Sequence, residues 1–177
     1  MSDAAARPTL LTRPFLLVAL ANLWLGMAAS FGLHFPGFFA QLGAGEAEIG
    51  RIMSVQALAA MAAGPAVGRL MDRRGRRVVI LSGCALYVLA ASLYLAISAL
   101  GPFVYFVRLL EGVSGTMLYA SLFTFAADLV PAQRRTEGLA LFGASGLAPM
   151  ALSGALGDAI LAVGSYRGIF LAAIGFG

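Results

Sequence analysis

The stretch "GRLMDRRGRR", residues 68–77, holds five of the chain's twelve cationic residues, and all twelve are arginine. On either side of it the sequence is an almost unbroken apolar run. Hydrophobic residues make up 60% of the chain and charged residues 11%, against about 25% charged in an ordinary soluble domain. So little polar surface cannot cover a fold in water, and lipid is the expected solvent. A net charge of +4 would raise nucleic-acid binding in a soluble protein. Here the arginines stand at the ends of apolar runs, which fits membrane orientation instead, and no nucleic-acid partner is expected. Cys84 is the single cysteine, so neither an internal disulfide nor a metal cluster is expected, and nothing points to a cofactor.

Working outward from the loop, a bilayer core of roughly 30 Å needs about 20 helical residues. Segments 14–35, 50–71, 78–100, 102–127 and 138–160 meet or approach that length, and a sixth begins at Tyr166. The ten residues after Arg167 reach about 15 Å, half a membrane. The chain therefore reads as cut inside its sixth span. Residues 1–13 form a short polar N-terminus, and the 22-residue run after it is longer than a signal-peptide core. The expected fold is all-α, a polytopic membrane helix bundle occupying 14–177.

Arginine placement sets the orientation. Arg7, Arg13, Arg69, Arg73, Arg74, Arg76, Arg77, Arg134 and Arg135 fall on one side of the hairpins, against Arg51 and Arg167 on the other. This asymmetry places the N-terminus and the arginine loop in the cytoplasm. The chain also repeats itself. "GRLMD" (68–72) recurs as "GALGD" (154–158), 86 residues later, with Pro65 and Pro149 ahead of the two copies. One copy ends inside and the other outside, the arrangement of an inverted three-plus-three repeat. The second copy lacks the arginines, as the positive-inside rule demands.

"GRLMDRRGRR" resembles the G-x-L-x-D-R-x-G-R-R signature of the major facilitator superfamily, in the loop between spans two and three. "RLLEGVSG" (108–115) resembles that family's R-x-x-Q-G-x-x-G motif, with Glu111 in place of Gln. "DLVPAQRRTEGLALFG" (128–143) resembles its link from span four to span five. Ala148-Pro149 departs from the Gly-Pro of the family's antiporters, which weakens an antiporter assignment. The resemblance implies a twelve-helix secondary transporter working by alternating access in a bacterial inner membrane, with this chain as its N-terminal half. Its implied partners are the bilayer, a small-molecule substrate, and a C-terminal six-helix half or a second copy. Substrate efflux, with proton coupling, is the expected direction, and uptake is the alternative.

The site residues follow from position and resemblance together. Asp72, Gly75, Arg76 and Asp128 are implied to form a cytoplasmic charge network that holds one conformational state, with Gly75 permitting the turn. Arg108 and Glu111 are three residues apart on one face of a helix, at depths of about 9 and 13 Å counted from Pro102. Charge there faces a cavity or a partner. Gly112, Gly115 and Tyr119 extend that face, which the resemblance places on the substrate path, with Glu111 as the candidate proton carrier. A self-satisfied Arg–Glu pair is the competing reading. Asn22 lies near mid-membrane and can bond substrate or a neighbouring helix. Gly68, Gly112, Gly115 and Pro149 read as helix-packing residues, and His34 as an interfacial anchor.

An intramembrane protease is the rival from another class, because "GVSG" (112–115) contains the G-x-S-G of rhomboid-type enzymes. A serine nucleophile needs a base. The single histidine, His34, falls several turns from Ser114 in depth, so no enzyme is expected. A half-size membrane scaffold is a third reading.

Overall fold

The structure is a computed structural model and describes residues 9–177. Arg7 and most of the expected N-terminal segment 1–13 lie outside the described residues. Seven α-helices follow in order: α1 (Arg13–Ser30), α2 (Phe35–Gln41), α3 (Glu46–Arg74), α4 (Arg76–Tyr94), α5 (Pro102–Leu129), α6 (Arg135–Val163) and α7 (Tyr166–Phe176). The described residues contain no strand. Short 3-10 segments, Phe31–His34 and Ala132–Arg134, join α1 to α2 and lead into α6.

Local chemistry sets these boundaries. Thr12 caps α1, its Oγ1 accepting from the Phe15 N–H at 3.4 Å, with Pro14 in the first turn. Pro102 opens α5, where its missing N–H leaves no bond unmade. α3 has Glu46 and Glu48 in its first turn and Arg73 and Arg74 in its last, both matched to the helix dipole. Gly75 separates α3 from α4 with φ at 78°, a left-handed conformation that favours glycine.

Four helical stretches are long and apolar enough to cross a membrane: Arg13–Gln41, Arg76–Tyr94, Pro102–Leu129 and Ala132–Val163. α3 has the length, with 29 residues, but Gln56, Pro65 and several glycines lower its hydropathy. α7 has eleven residues. Two ends differ most from the sequence expectation. The first stretch runs on through the 3-10 turn and α2 to Gln41, past position 35. The third expected span, α4, stops at Tyr94, short of position 100, where Ile97 N donates back to Tyr94 O at 3.2 Å and the chain turns.

Packing follows the sequence repeat. α3 lies parallel to α5, since Arg108 meets Gln56, Thr116 meets Ala60 and Ser121 meets Met71 in rising order. α1 lies parallel to α6 in the same manner, through Asn22–Phe142, Gly26–Gly146 and His34–Asp158. α4 runs antiparallel to α5. The first helix of each triplet, α1 or α5, thus packs on the middle helix of the other, α6 or α3, as an inverted repeat requires.

The offset of 86 residues that links GRLMD to GALGD also links Asn22 to Arg108, Gly26 to Gly112 and Ser30 to Thr116. Their partners Phe142 and Gln56 are related by the same offset. Aromatic rings fill the end of the bundle opposite the arginine loop, where Phe31, Phe35, Phe39, Tyr94 and Phe170 form one buried cluster.

Candidate functional site

A cleft of about 880 Å³ opens between α1, α3, α5 and α6. Its walls are mainly apolar, with Met53, Phe123, Phe142, Leu147 and Met150 among them. Its polar groups are few: Asn22, Ser30, Gln56, Glu111, Tyr119 and Thr124. A mostly apolar concavity with a handful of convergent polar groups is the usual form of a small-molecule site. Glu111 is the single carboxylate in the lining.

Glu111 is held from behind. Its Oε2 accepts from Arg108 Nη1 at 2.7 Å and from the Tyr94 hydroxyl at 2.5 Å. Arg108 is fully buried. Its second nitrogen, Nη2, donates to Gln56 Oε1 at 2.6 Å and meets Met53 Sδ at 3.3 Å. The guanidinium sits 5.6 Å from the centre of the Phe35 ring, within cation–π range. A buried charge persists only when paired and hydrogen-bonded, and four elements supply these partners. Of the guanidinium nitrogens, Nε is buried with no partner among the described residues.

Arg108 therefore stands behind the cleft wall, on the side of α3 and α4, and is not part of the lining. The sequence reading had placed it on the substrate path. One helical face is wide enough to split the pair, with Glu111 turned to the cleft and Arg108 to its neighbours. Tyr119, 42% exposed, does line the cleft. Asn22 lines it too, yet its amide donates to Phe142 O at 2.9 Å and to Ser145 Oγ at 3.1 Å on α6. Its N–H groups are thereby committed to the neighbouring helix.

The glycines divide into two kinds. A Cβ on Gly112 would strike the Gln56 carbonyl and lie 2.9 Å from Ala59 Cβ, so glycine is what lets α5 approach α3. Gly26 does the same on α1, where a Cβ would lie 2.7 Å from Gly146 O and 3.0 Å from Pro149 Cγ. Pro149 is buried in that contact. At Gly68 and Gly115 a Cβ would meet nothing within 4 Å. Neither packs a helix within this chain, which corrects the reading of both as packing residues.

At the arginine end, Arg76 pairs with Asp128. Both charges are wrong for their own helix ends. A cation at the start of α4 and an anion near the end of α5 each oppose the helix dipole, and pairing offsets this. Asp72 is exposed and forms no hydrogen bond or ion pair among the described residues, so the expected three-membered network is a two-membered one. Asp72 lies before the Gly75 turn on α3, whereas Arg76 begins the helix packed against α5.

At the opposite end His34 Nε2 lies 3.1 Å from Asp158 Oδ1. The imidazole fits because residue 157 is glycine, where a Cβ would overlap the ring. His34 thus joins the 3-10 turn after α1 to the GALGD copy on α6. Ser114 is buried and donates to Glu111 O within its own helix at 3.0 Å, and no base adjoins it. The "GVSG" stretch is helix, without a nucleophile's surroundings.

Tyr94 is the site residue that sequence reading missed. It belongs to α4, away from every motif, and only packing brings it to Glu111. Gln56 stands outside the motifs too, but the 86-residue offset that links Asn22 to Arg108 also links Gln56 to Phe142 and points to its role.

The family model described as Major Facilitator Superfamily matches residues 9–177. The chain is similar to the multidrug resistance protein MdtL of Klebsiella pneumoniae, with 27% identity over 143 residues. That alignment covers 80% of this chain and 36% of the relative, so the chain spans about a third of the length of the curated relative it matches.

Proposed function

This chain belongs to the Major Facilitator Superfamily, and on that premise we propose that it forms one wall of the solute pathway of a proton-coupled efflux transporter. The observation that carries this reading is Glu111, the one carboxylate in a largely apolar cleft, with Oε2 bonded and its residue at the cleft wall. An apolar lining suits a small, drug-like organic solute, and the printed name of the Klebsiella relative, a multidrug resistance protein, supports the same class. Glu111 would alternate between its ion pair with Arg108 and a protonated state that solute binding permits. The exposed apolar lining calls for a facing surface, supplied by a second six-helix half or a second copy.

Arg76–Asp128 would act as the cytoplasmic latch, with Gly75 as its pivot and Asp72 as a further charge that joins in another state. The pair is partly solvated, at 32% and 50% side-chain exposure. Exposed pairs are worth about 0.2–1 kcal/mol, which suits a contact made and broken in every cycle. The arginine distribution supports an inner membrane with the N-terminus inside.

The test is transport by the full-length gene product in proteoliposomes, with ethidium and chloramphenicol as cationic and neutral probes. Glu111→Gln is expected to abolish accumulation driven by a pH gradient while sparing exchange down a solute gradient. Accumulation that persists at the unsubstituted rate overturns the assignment of Glu111. Uphill movement into the cytoplasmic compartment instead supports uptake.

A further inference from the structure

The rear of the Glu111 carboxylate is enclosed. Between α4, α5 and α7, Tyr87, Tyr94 and Phe170 bound a void of about 10 Å³. That is room for one water at most, so the carboxylate is held from this side mainly by protein groups. Arg108 and Tyr94 both donate to it there, and the Tyr94 hydroxyl makes the shorter bond, at 2.5 Å.

Tyr94 is fixed with little freedom. It is 2% exposed, its ring stacks on Phe170 at 5.1 Å and 16°, and the Phe35 ring packs against it at 4.6 Å, tilted by 47°. Three elements therefore set the position of one hydroxyl. That hydroxyl also receives Arg108 Nη1 at 3.3 Å, completing a triangle of Arg108, Tyr94 and Glu111 Oε2. Glu111 Oε1 accepts no bond among the described residues and is not sealed from the cleft that its residue lines. Two donors occupy one oxygen, and the other is left at the wall.

We infer that Tyr94 is a positioning residue for Glu111: its hydroxyl, with Arg108, fixes Oε2 so that proton exchange takes place at Oε1, on the cleft side. The inference rests on Glu111 being the ionisable group of the pathway. The titratable groups around it are Arg108 and Tyr119 on its own helix and Tyr87 and Tyr94 on α4. α1, α3, α6 and α7 present no charged side chain to it. A donor bound to a carboxylate favours its ionised form, so removing this one hydroxyl strengthens proton binding without emptying the site.

Infrared difference spectroscopy of the full-length protein, titrated with pH, reads this without any substrate. The carboxyl band absent from Glu111→Gln identifies the group. Tyr94→Phe keeps the ring and its stacking, and is expected to move the titration midpoint of that band about one pH unit to the alkaline side. It should also change the carbonyl stretching frequency. Tyr87→Phe, the same change on the same helix beside the same void, should leave both unmoved. A Tyr94→Phe band that titrates and vibrates as in the unsubstituted protein overturns the inference, as does an equal shift in Tyr87→Phe. If coupling survives in Glu111→Gln, the transport reading fails by itself, whatever the band does.

Discussion

α1 and α5 are two versions of one helix. Each has a polar residue reaching the middle helix of the other triplet, then a glycine four residues on, then a hydroxyl four beyond that: Asn22, Gly26 and Ser30 against Arg108, Gly112 and Thr116. The glycines serve the same close approach in both. The chemistry above them differs. Asn22 makes a neutral bond to a helix carbonyl, whereas Arg108 holds a buried charge pair with Glu111, whose counterpart in α1 is Leu25. One scaffold thus carries a structural tie in the first triplet and an ionisable site in the second. Charge marks the copy equipped for chemistry, since burying it needs a full set of partners.

The comparison breaks most sharply at its polar positions. Arg108→Leu leaves Glu111 buried without its cation and is expected to destabilise the fold by about 3–5 kcal/mol, read as a large fall in thermal midpoint in detergent. Its counterpart Asn22→Leu loses one neutral tie, at about 1 kcal/mol. Equal losses would erase the distinction between the two helices. A double variant, Arg108→Leu with Glu111→Leu, should recover most of the stability and none of the coupling.

The glycines test what the two helices share. Gly26→Ala and Gly112→Ala are each expected to cost about 1–3 kcal/mol through overpacking. Gly115→Ala on the same helix should be neutral or stabilising by up to about 1 kcal/mol, because alanine has the higher helix propensity. The smallest effect lies at the hydroxyls. Thr116 Oγ1 donates to Ala60 O on α3 at 3.1 Å as well as bonding within its own helix. Ser30 bonds only Gly26 O on α1. Thr116→Ala should therefore cost about 0.6 kcal/mol and Ser30→Ala less, a difference readable in denaturant midpoints.

Much of the fold was legible. Apolar length, Pro102 at a helix start and the Gly75 turn pointed to the element order. The GRLMD/GALGD echo gave the inverted repeat, and its offset extended to Asn22 and Arg108 would have exposed the polar pairing as well. The rotation of each helix was less legible. Arg108 sits behind the cleft rather than on it, and Gly115 faces open space, though both share a helix with Glu111 and Gly112. In a water-soluble bundle the apolar stripe shows which face is buried. Here lipid is as apolar as the helix interfaces, so hydropathy marks no inward face.

The sequence by itself determined the solvent, the all-helical class, the arginine-rich end and the two-triplet plan, because these follow from composition, charge and repetition along the chain. Tertiary structure alone decided that Tyr94 meets Glu111, that Asp72 stays out of the Arg76–Asp128 pair, and that one carboxylate reaches the cleft. Each of those depends on how helices distant in sequence turn toward one another. Close packing at Gly26 and Gly112 fixes that rotation, and no local pattern records it.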